Sequence, residues 1–197
     1  MQLWLKPSSG LFQFFPNAAF PGSGRGKYTL QMNVLDLPSG FPLRANPRTP
    51  EDSARDVKSM VKTLLEAQGK FIDFNSSIAA VAECFLGTQI IQGELHVGFE
   101  VNEKTQGIVN GGHTHLAIQI GKERAEKARV VLNDEVAISI TIGLPSSLLP
   151  DVSRFKNRNN LVKERLFTNK EGKFSMDGEK ACRTALRGWF WGQGEVH

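Results

Sequence analysis

The sequence predicts an α/β (α+β) domain, a small mixed sheet with flanking helices, from three observations. Period-two alternation runs through Tyr28–Leu37 and Glu94–Val101. A strongly β-branched stretch fills Val130–Leu144. Helical periodicity marks residues near 50–69 and His115–Arg129. With 197 residues, 40% hydrophobic and 22% charged, the chain has the size and composition of one ordinary globular domain, which excludes collagen-like, mucin-like and wholly disordered classes.

Residues 1–27 are expected to be an N-terminal extension. Pro7 and Pro16 interrupt its apolar patches, which argues against a signal peptide and for an irregular or edge segment. Residues 16–27 then concentrate Pro, Gly and Ser, as loops do, so the regular fold is expected to begin after them. Tyr28, Leu30, Met32 and Val34 alternate as a strand that ends at the turn Pro38-Ser39-Gly40. Phe41–Arg48 is held extended by its prolines.

Thr49 before Pro50, with acid in the following turn, predicts a helix N-cap. Val57, Met60, Val61, Leu64 and Leu65 form its buried stripe, and Gly69 is placed to terminate it. Ile78–Phe85 is compact and apolar, so periodicity alone leaves strand and helix open; its alanines tilt the expectation to helix, with Cys84 a buried thiol. Thr105–Val109 leads into the turn Asn110-Gly111-Gly112, and His115–Arg129 sets Leu116 and Ile120 against charged residues on the other side.

Three regions are expected: the extension 1–27, a core at 28–150, and a basic, partly disordered segment at 151–197. The last carries ten Lys or Arg against six Asp or Glu, and hence the whole net charge of +4. Trp189, Phe190 and Trp191 near its end suit docking on the core or on a protein partner. No apolar run reaches the roughly 20 residues that cross a bilayer, and the longest, Ile78–Leu86, contains Glu83. Cys84 and Cys182 lie far apart, unlike a zinc knuckle or a secreted disulfide framework, which points to the cytoplasm.

The stretch richest in chemistry is Gly107–Ile118. An apolar strand ends in Asn110-Gly111-Gly112 and a helix follows at once, which gathers free backbone N–H groups and a positive helix end at one point. Glycine lets a phosphate approach the backbone, and Thr114 is placed to cap or to donate its hydroxyl; a purely structural strand-to-helix turn explains the same pattern. His113 and His115 would be about 200° apart on a helix, so they are no metal pair, and their imidazoles are expected to face solvent or phosphate. Gly22-Ser23-Gly24-Arg25-Gly26-Lys27 lacks both the first glycine and the Ser/Thr of a phosphate loop and is read as a loop. A metal-dependent nuclease would need converging acids; Asp56-Val57-Lys58 and Glu171-Gly172-Lys173 do not supply them.

Three blocks, in order, resemble the AIPR (abortive infection phage resistance) family. They are Phe41–Pro50 with Ala45-Asn46-Pro47-Arg48, then Phe71-Ile72-Asp73-Phe74-Asn75-Ser76-Ser77-Ile78, then Ile108-Val109-Asn110-Gly111-Gly112-His113-Thr114. Arg158–Lys163 with Asn169 to Phe174 is a weaker fourth. Ser77 stands where the family has Gly, and family members continue beyond this length, which implies a shortened or truncated member. The same order of parts is similar to the ParB/sulfiredoxin superfamily. That resemblance implies a phosphate-binding turn at Asn110, Gly111, Gly112, His113 and Thr114, bordered by Arg44, Asn46 and Arg48, with Asn75 and His115 behind it. It also implies a nucleoside triphosphate with Mg²⁺ as cofactor and phosphoryl transfer or hydrolysis as the chemistry, although Thr114, His115 and Leu116 replace the Arg that such turns carry early in the helix. The expected function is phage defence through a nucleotide or nucleic-acid phosphate. The alternatives are a non-catalytic nucleic-acid-binding module using the basic C-terminal segment, and a metal-dependent nuclease.

Overall fold

A computed structural model describes residues 1–8, 12–75 and 77–157. The chain divides into two units, Met1–Lys156 and Asn157–His197, and the strands and helices of the described residues belong to the first. The fourth block at Arg158–Phe174, the pattern Glu171-Gly172-Lys173 and the Trp189–Trp191 end lie outside the described residues.

Among the described residues eight strands form two sheets. The larger combines β2 (Phe12–Pro16), β3 (Gly26–Asn33), β4 (Ile78–Ala82), β7 (Gly107–Asn110) and β8 (Glu135–Ile142) in the order β2-β3-β8-β4-β7. Only β4 and β8 run parallel, so the sheet is mixed, as expected. The smaller is antiparallel, β1 (Gln2–Leu5), β6 (Glu94–Glu100) and β5 (Cys84–Ile91) in the order β1-β6-β5. Three helices, α1 (Arg55–Glu66), α2 (Phe71–Phe74) and α3 (Gly112–Ala128), complete the domain with α4, helical over residues 149–156.

One main core joins these layers. Alternate residues of β3 and β8, among them Leu30, Met32, Ile138 and Ile140, meet Ile118 of α3, Leu64 of α1, Phe71 of α2 and Val97 and Phe99 of β6. Each such side chain, taken fully from water, contributes about 1.5–3 kcal/mol. α1 and α3 pack together where Gly121 leaves no room for a Cβ beside Leu64.

Several elements depart from sequence expectation for identifiable reasons. The regular fold begins at Gln2, not after residue 27: Leu3 and Leu5 of β1 are core residues, and β1 and β2 are edge strands. The Gly-rich stretch closes the β2–β3 hairpin, with Gly22 and Gly24 in the left-handed region. Ile78–Ala82 is a strand rather than a helix. It lies between β8 and β7, all five residues are buried, and a strand covered on both faces shows a continuous apolar run instead of alternation. Cys84, expected to be buried, is exposed, because the chain leaves the larger sheet at Glu83 and begins the smaller sheet's outer strand. α1 starts at Arg55 with Ala54 as N-cap, and Thr49 caps nothing, because a turn at Glu51–Ala54 precedes it. Its buried residues are Val57, Val61 and Leu64, and Gly69 takes φ +78° in the turn after the helix. Phe41–Arg48 turns at Leu43–Asn46 instead of staying extended. β8 begins only at Glu135, so Val130–Leu132 is outside any strand.

The β5–β6 hairpin turns on Gln92 and Gly93, both with positive φ, the two-residue geometry that matches strand twist. Gln92→Asn should therefore stabilise by about 0.5 kcal/mol, since Asn tolerates positive φ better. Leu5→Ala should cost about 2–5 kcal/mol in a denaturant melt, as for any fully buried leucine, whereas an irregular extension would show almost no change.

Candidate functional site

The glycine turn and the Asn-Pro-Arg loop meet at β7. The loop runs beside the strand that ends the larger sheet, and Ile108 N–H donates to the Pro42 carbonyl at 2.7 Å. A Cβ on Gly107 would collide with that same carbonyl. The loop thereby satisfies part of an edge that would otherwise offer free backbone groups. Further on, the place a Gly112 Cβ would take is filled by the Asn46 carboxamide, with Pro50 Cγ 2.9 Å away. Asn46 is itself fixed by accepting the Arg48 N–H at 3.1 Å. From the other side Ile78 Cα comes within 2.9 Å of a Gly111 Cβ position. The second and third blocks therefore touch as well.

Gly111 has φ +89° and is the N-cap of α3, which no side chain caps among the described residues. The Asn110 side chain accepts the Gly111 N–H at 2.8 Å and donates to the Lys156 carbonyl at 3.1 Å. His115 N–H closes the first helical bond to the Gly111 carbonyl. Gly112, His113 and Thr114 supply the first-turn N–H groups, which have no intrahelical acceptor. Thr114 is an interior first-turn residue, 6% exposed, and does not cap the helix. The helix begins three residues earlier than expected.

Arg44 and Arg48 are exposed, two residues on either side of Asn46, and neither has an acidic partner among the described residues. His113 is half-buried on the first turn. The Asn75 side chain donates to the Phe71 carbonyl at 2.9 Å and ends α2.

His115 does not face solvent or phosphate. It is 4% exposed, its Nε2 lies 2.9 Å from the Pro38 carbonyl, and its ring meets Phe41 edge-on. Lys122 Nζ, two turns along the same helix face, donates to the Leu37 carbonyl at 3.0 Å. Burial first, and Lys122 second, hold the imidazole below its ordinary 6.5, against the raising effect of the Pro38 bond. His115 is thus a neutral strut between α3 and the 34–38 turn, a role invisible from spacing. Among the described residues no group of three or more His, Cys, Asp or Glu is gathered to hold a metal ion, and no helix is long and apolar enough to cross a membrane.

A mixed α/β domain carrying a strand–glycine–helix turn, braced by an Asn-Pro-Arg loop, is the class that these features define. The match to the AIPR protein family extends over residues 43–191, from this loop through the turn, and the chain belongs to that family. Membership places it among abortive-infection phage-resistance proteins. No curated protein and no solved structure matches it.

Gly112→Ala should destabilise by about 1–3 kcal/mol in a denaturant melt, through overpacking against Asn46 and Pro50; an unchanged midpoint would mean that the loop does not sit there. His115 also makes stability depend on pH. The unfolded imidazole takes up its proton near 6.5 while the folded one resists, so stability present above 6.5 is lost as the pH falls below it. His115→Gln keeps an N–H for Pro38 and has no such proton, so its melting temperature should fall less than that of the wild type between about pH 7.5 and 5.5.

Proposed function

We propose that this AIPR protein acts in phage defence by binding the phosphate of a nucleotide at the start of α3. The single observation that carries the proposal is an uncapped helix start behind a left-handed glycine, packed against a loop with two exposed arginines that lack acidic partners among the described residues. Helix N-termini favour anions through their unpaired N–H groups and the helix dipole. In this assignment Gly112, His113 and Thr114 offer backbone N–H groups, Arg44 and Arg48 offer guanidinium forks that suit phosphate oxygens, and Asn46 and Asn110 hold the two segments in place.

The two glycines have a structural duty of their own, because Ile78 and Asn46 occupy the space beside them. They shape the turn, while the amides and arginines hold the anion. The donor set fits phosphate; no acidic residue stands in the turn, so a nucleoside triphosphate would bring its Mg²⁺ held by its own phosphates. Asn75 and His115 keep the surrounding frame. No residue is assigned a catalytic step. The likeness to the ParB/sulfiredoxin superfamily supports the proposal through the order of the three blocks, and the cysteine pattern supports a cytoplasmic setting.

Thermal unfolding with each of four nucleoside triphosphates and Mg²⁺ tests this. A ligand that binds only the folded state at about 100 times its Kd adds about 2.7 kcal/mol of stability. One nucleotide should raise the midpoint of the wild type, and Arg44→Ala/Arg48→Ala should remove most of that rise while melting normally without ligand. No rise with any nucleotide, or an equal rise in the double variant, overturns the proposal.

A further inference from the structure

Among the described residues, the face of the larger sheet that looks away from the main core is only half covered. At its β4–β7 end, Leu149 and Val152 of α4 pack with Ala79, Val81 and Val109. Over β2, β3 and β8 the same face holds a groove of about 550 Å³. Strand register decides which side chains share this face. Lys27 stands opposite Phe15 and Thr141, and Thr29 opposite Gln13 and Ser139. Residues directly opposed across a ladder share a face. Among the described residues the groove is lined by hydroxyls, carboxamides and the Lys27 ammonium together with apolar atoms, and by no acidic residue.

A second cation, Lys156 at the end of α4, lies near enough to Lys27 to feel its charge. The Asn110 carboxamide holds the Lys156 carbonyl, which ties the end of α4 beside the sheet. Partial desolvation first, and the charge of Lys27 second, hold the Lys156 ammonium below its ordinary range. Neither lysine has an acidic partner among the described residues. Like charges gathered without a counter-ion repel, and a bound anion removes that cost.

The aromatic residue beside them narrows the class of anion. Phe12 and Phe14 pack on Tyr28 on the core side of β2. Phe15 points the other way, is 45% exposed and sits in register with Lys27. An exposed ring next to an ammonium group and hydroxyls is the combination that stacks a base while neutralising its backbone.

We propose that this open sheet face binds single-stranded nucleic acid, with Lys27 and Lys156 on backbone phosphates, Phe15 under a base, and Thr29, Gln13 and Ser139 as polar neighbours. The site adjoins the α3 turn through the Asn110–Lys156 bond but does not depend on the nucleotide assignment made there.

Fluorescence anisotropy of the full chain with a labelled 12-nucleotide single strand tests it, over a series of salt concentrations. Lys27→Gln/Lys156→Gln should weaken binding at least tenfold. It should also flatten the plot of log K against log salt by roughly 1.4, about 0.7 for each lost phosphate contact. Phe15→Leu should weaken the single strand about fivefold or more while leaving the weaker competition by tripolyphosphate unchanged. All of these positions are at the surface, and matched thermal melts establish that the variants fold. Full affinity and slope in the lysine double variant overturn the proposal. So does loss confined to Arg44→Ala/Arg48→Ala or to Lys163→Gln/Arg165→Gln/Lys170→Gln, which would move the site to the turn or to the C-terminal segment. Capture of a poly-glutamate peptide as tight as that of the strand, indifferent to Phe15→Leu, overturns it in favour of an acidic protein partner.

Discussion

Around β7 the backbone approaches itself more closely than any side chain permits, and the placement of the 41–50 loop, β4 and α3 all depends on that approach. Gly107 accepts Pro42, Gly111 accepts the start of β4, and Gly112 accepts Asn46. Two of the three also have positive φ, where an L side chain costs about 1–2 kcal/mol before any clash. The glycines are therefore a constraint of construction. They let one short strand be paired by β4 on one side and covered by a loop on the other, and they leave the helix beyond it free of a side-chain cap.

The rigidity of that helix comes from its far side. His115 and Lys122 both bond carbonyls of the turn at residues 37 and 38, while Ile118 and Gly121 between them face the core and α1. A buried imidazole bonded to a carbonyl is satisfied only as long as it stays put, since an unpaired buried polar group costs about 1–3 kcal/mol. The orientation of the first-turn N–H groups is inherited from these contacts. The glycine turn is thus held by residues that lie outside it.

The larger sheet serves two environments with one alternation. Tyr28, Leu30 and Met32 of β3 go to the main core, whereas Lys27, Thr29 and Gln31 go to the other face. α4 covers that face where it is apolar, at Ala79 and Val81, and among the described residues nothing covers it where it is polar. The division follows from side-chain chemistry: apolar surface gains by burial, and hydroxyls and ammonium groups stay hydrated unless a partner replaces the water.

Local pattern alone determined a good deal of this protein. The stripe of α1, the alternation of β3 and β6, the long apolar strand β8 and the strand-to-helix change at Asn110–Gly112 are all legible, because each depends on neighbours within a few residues. The order of the three blocks was enough to reveal the family. What sequence could not decide was set by partners distant along the chain. Ile78–Ala82 looks like helix until β7 and β8 are known to flank it, and Leu3 and Leu5 look like an extension until β6 pairs with them. His115 looks like a ligand for an anion because nothing nearby in sequence announces that Pro38 and Phe41 close over it. Cys84 looks buried because the switch of sheets at Glu83 has no local signature. Likewise, the meeting of Lys27 with Lys156 joins residues far apart in the chain, and only the register of β3 and the anchoring of α4 by Asn110 bring them together.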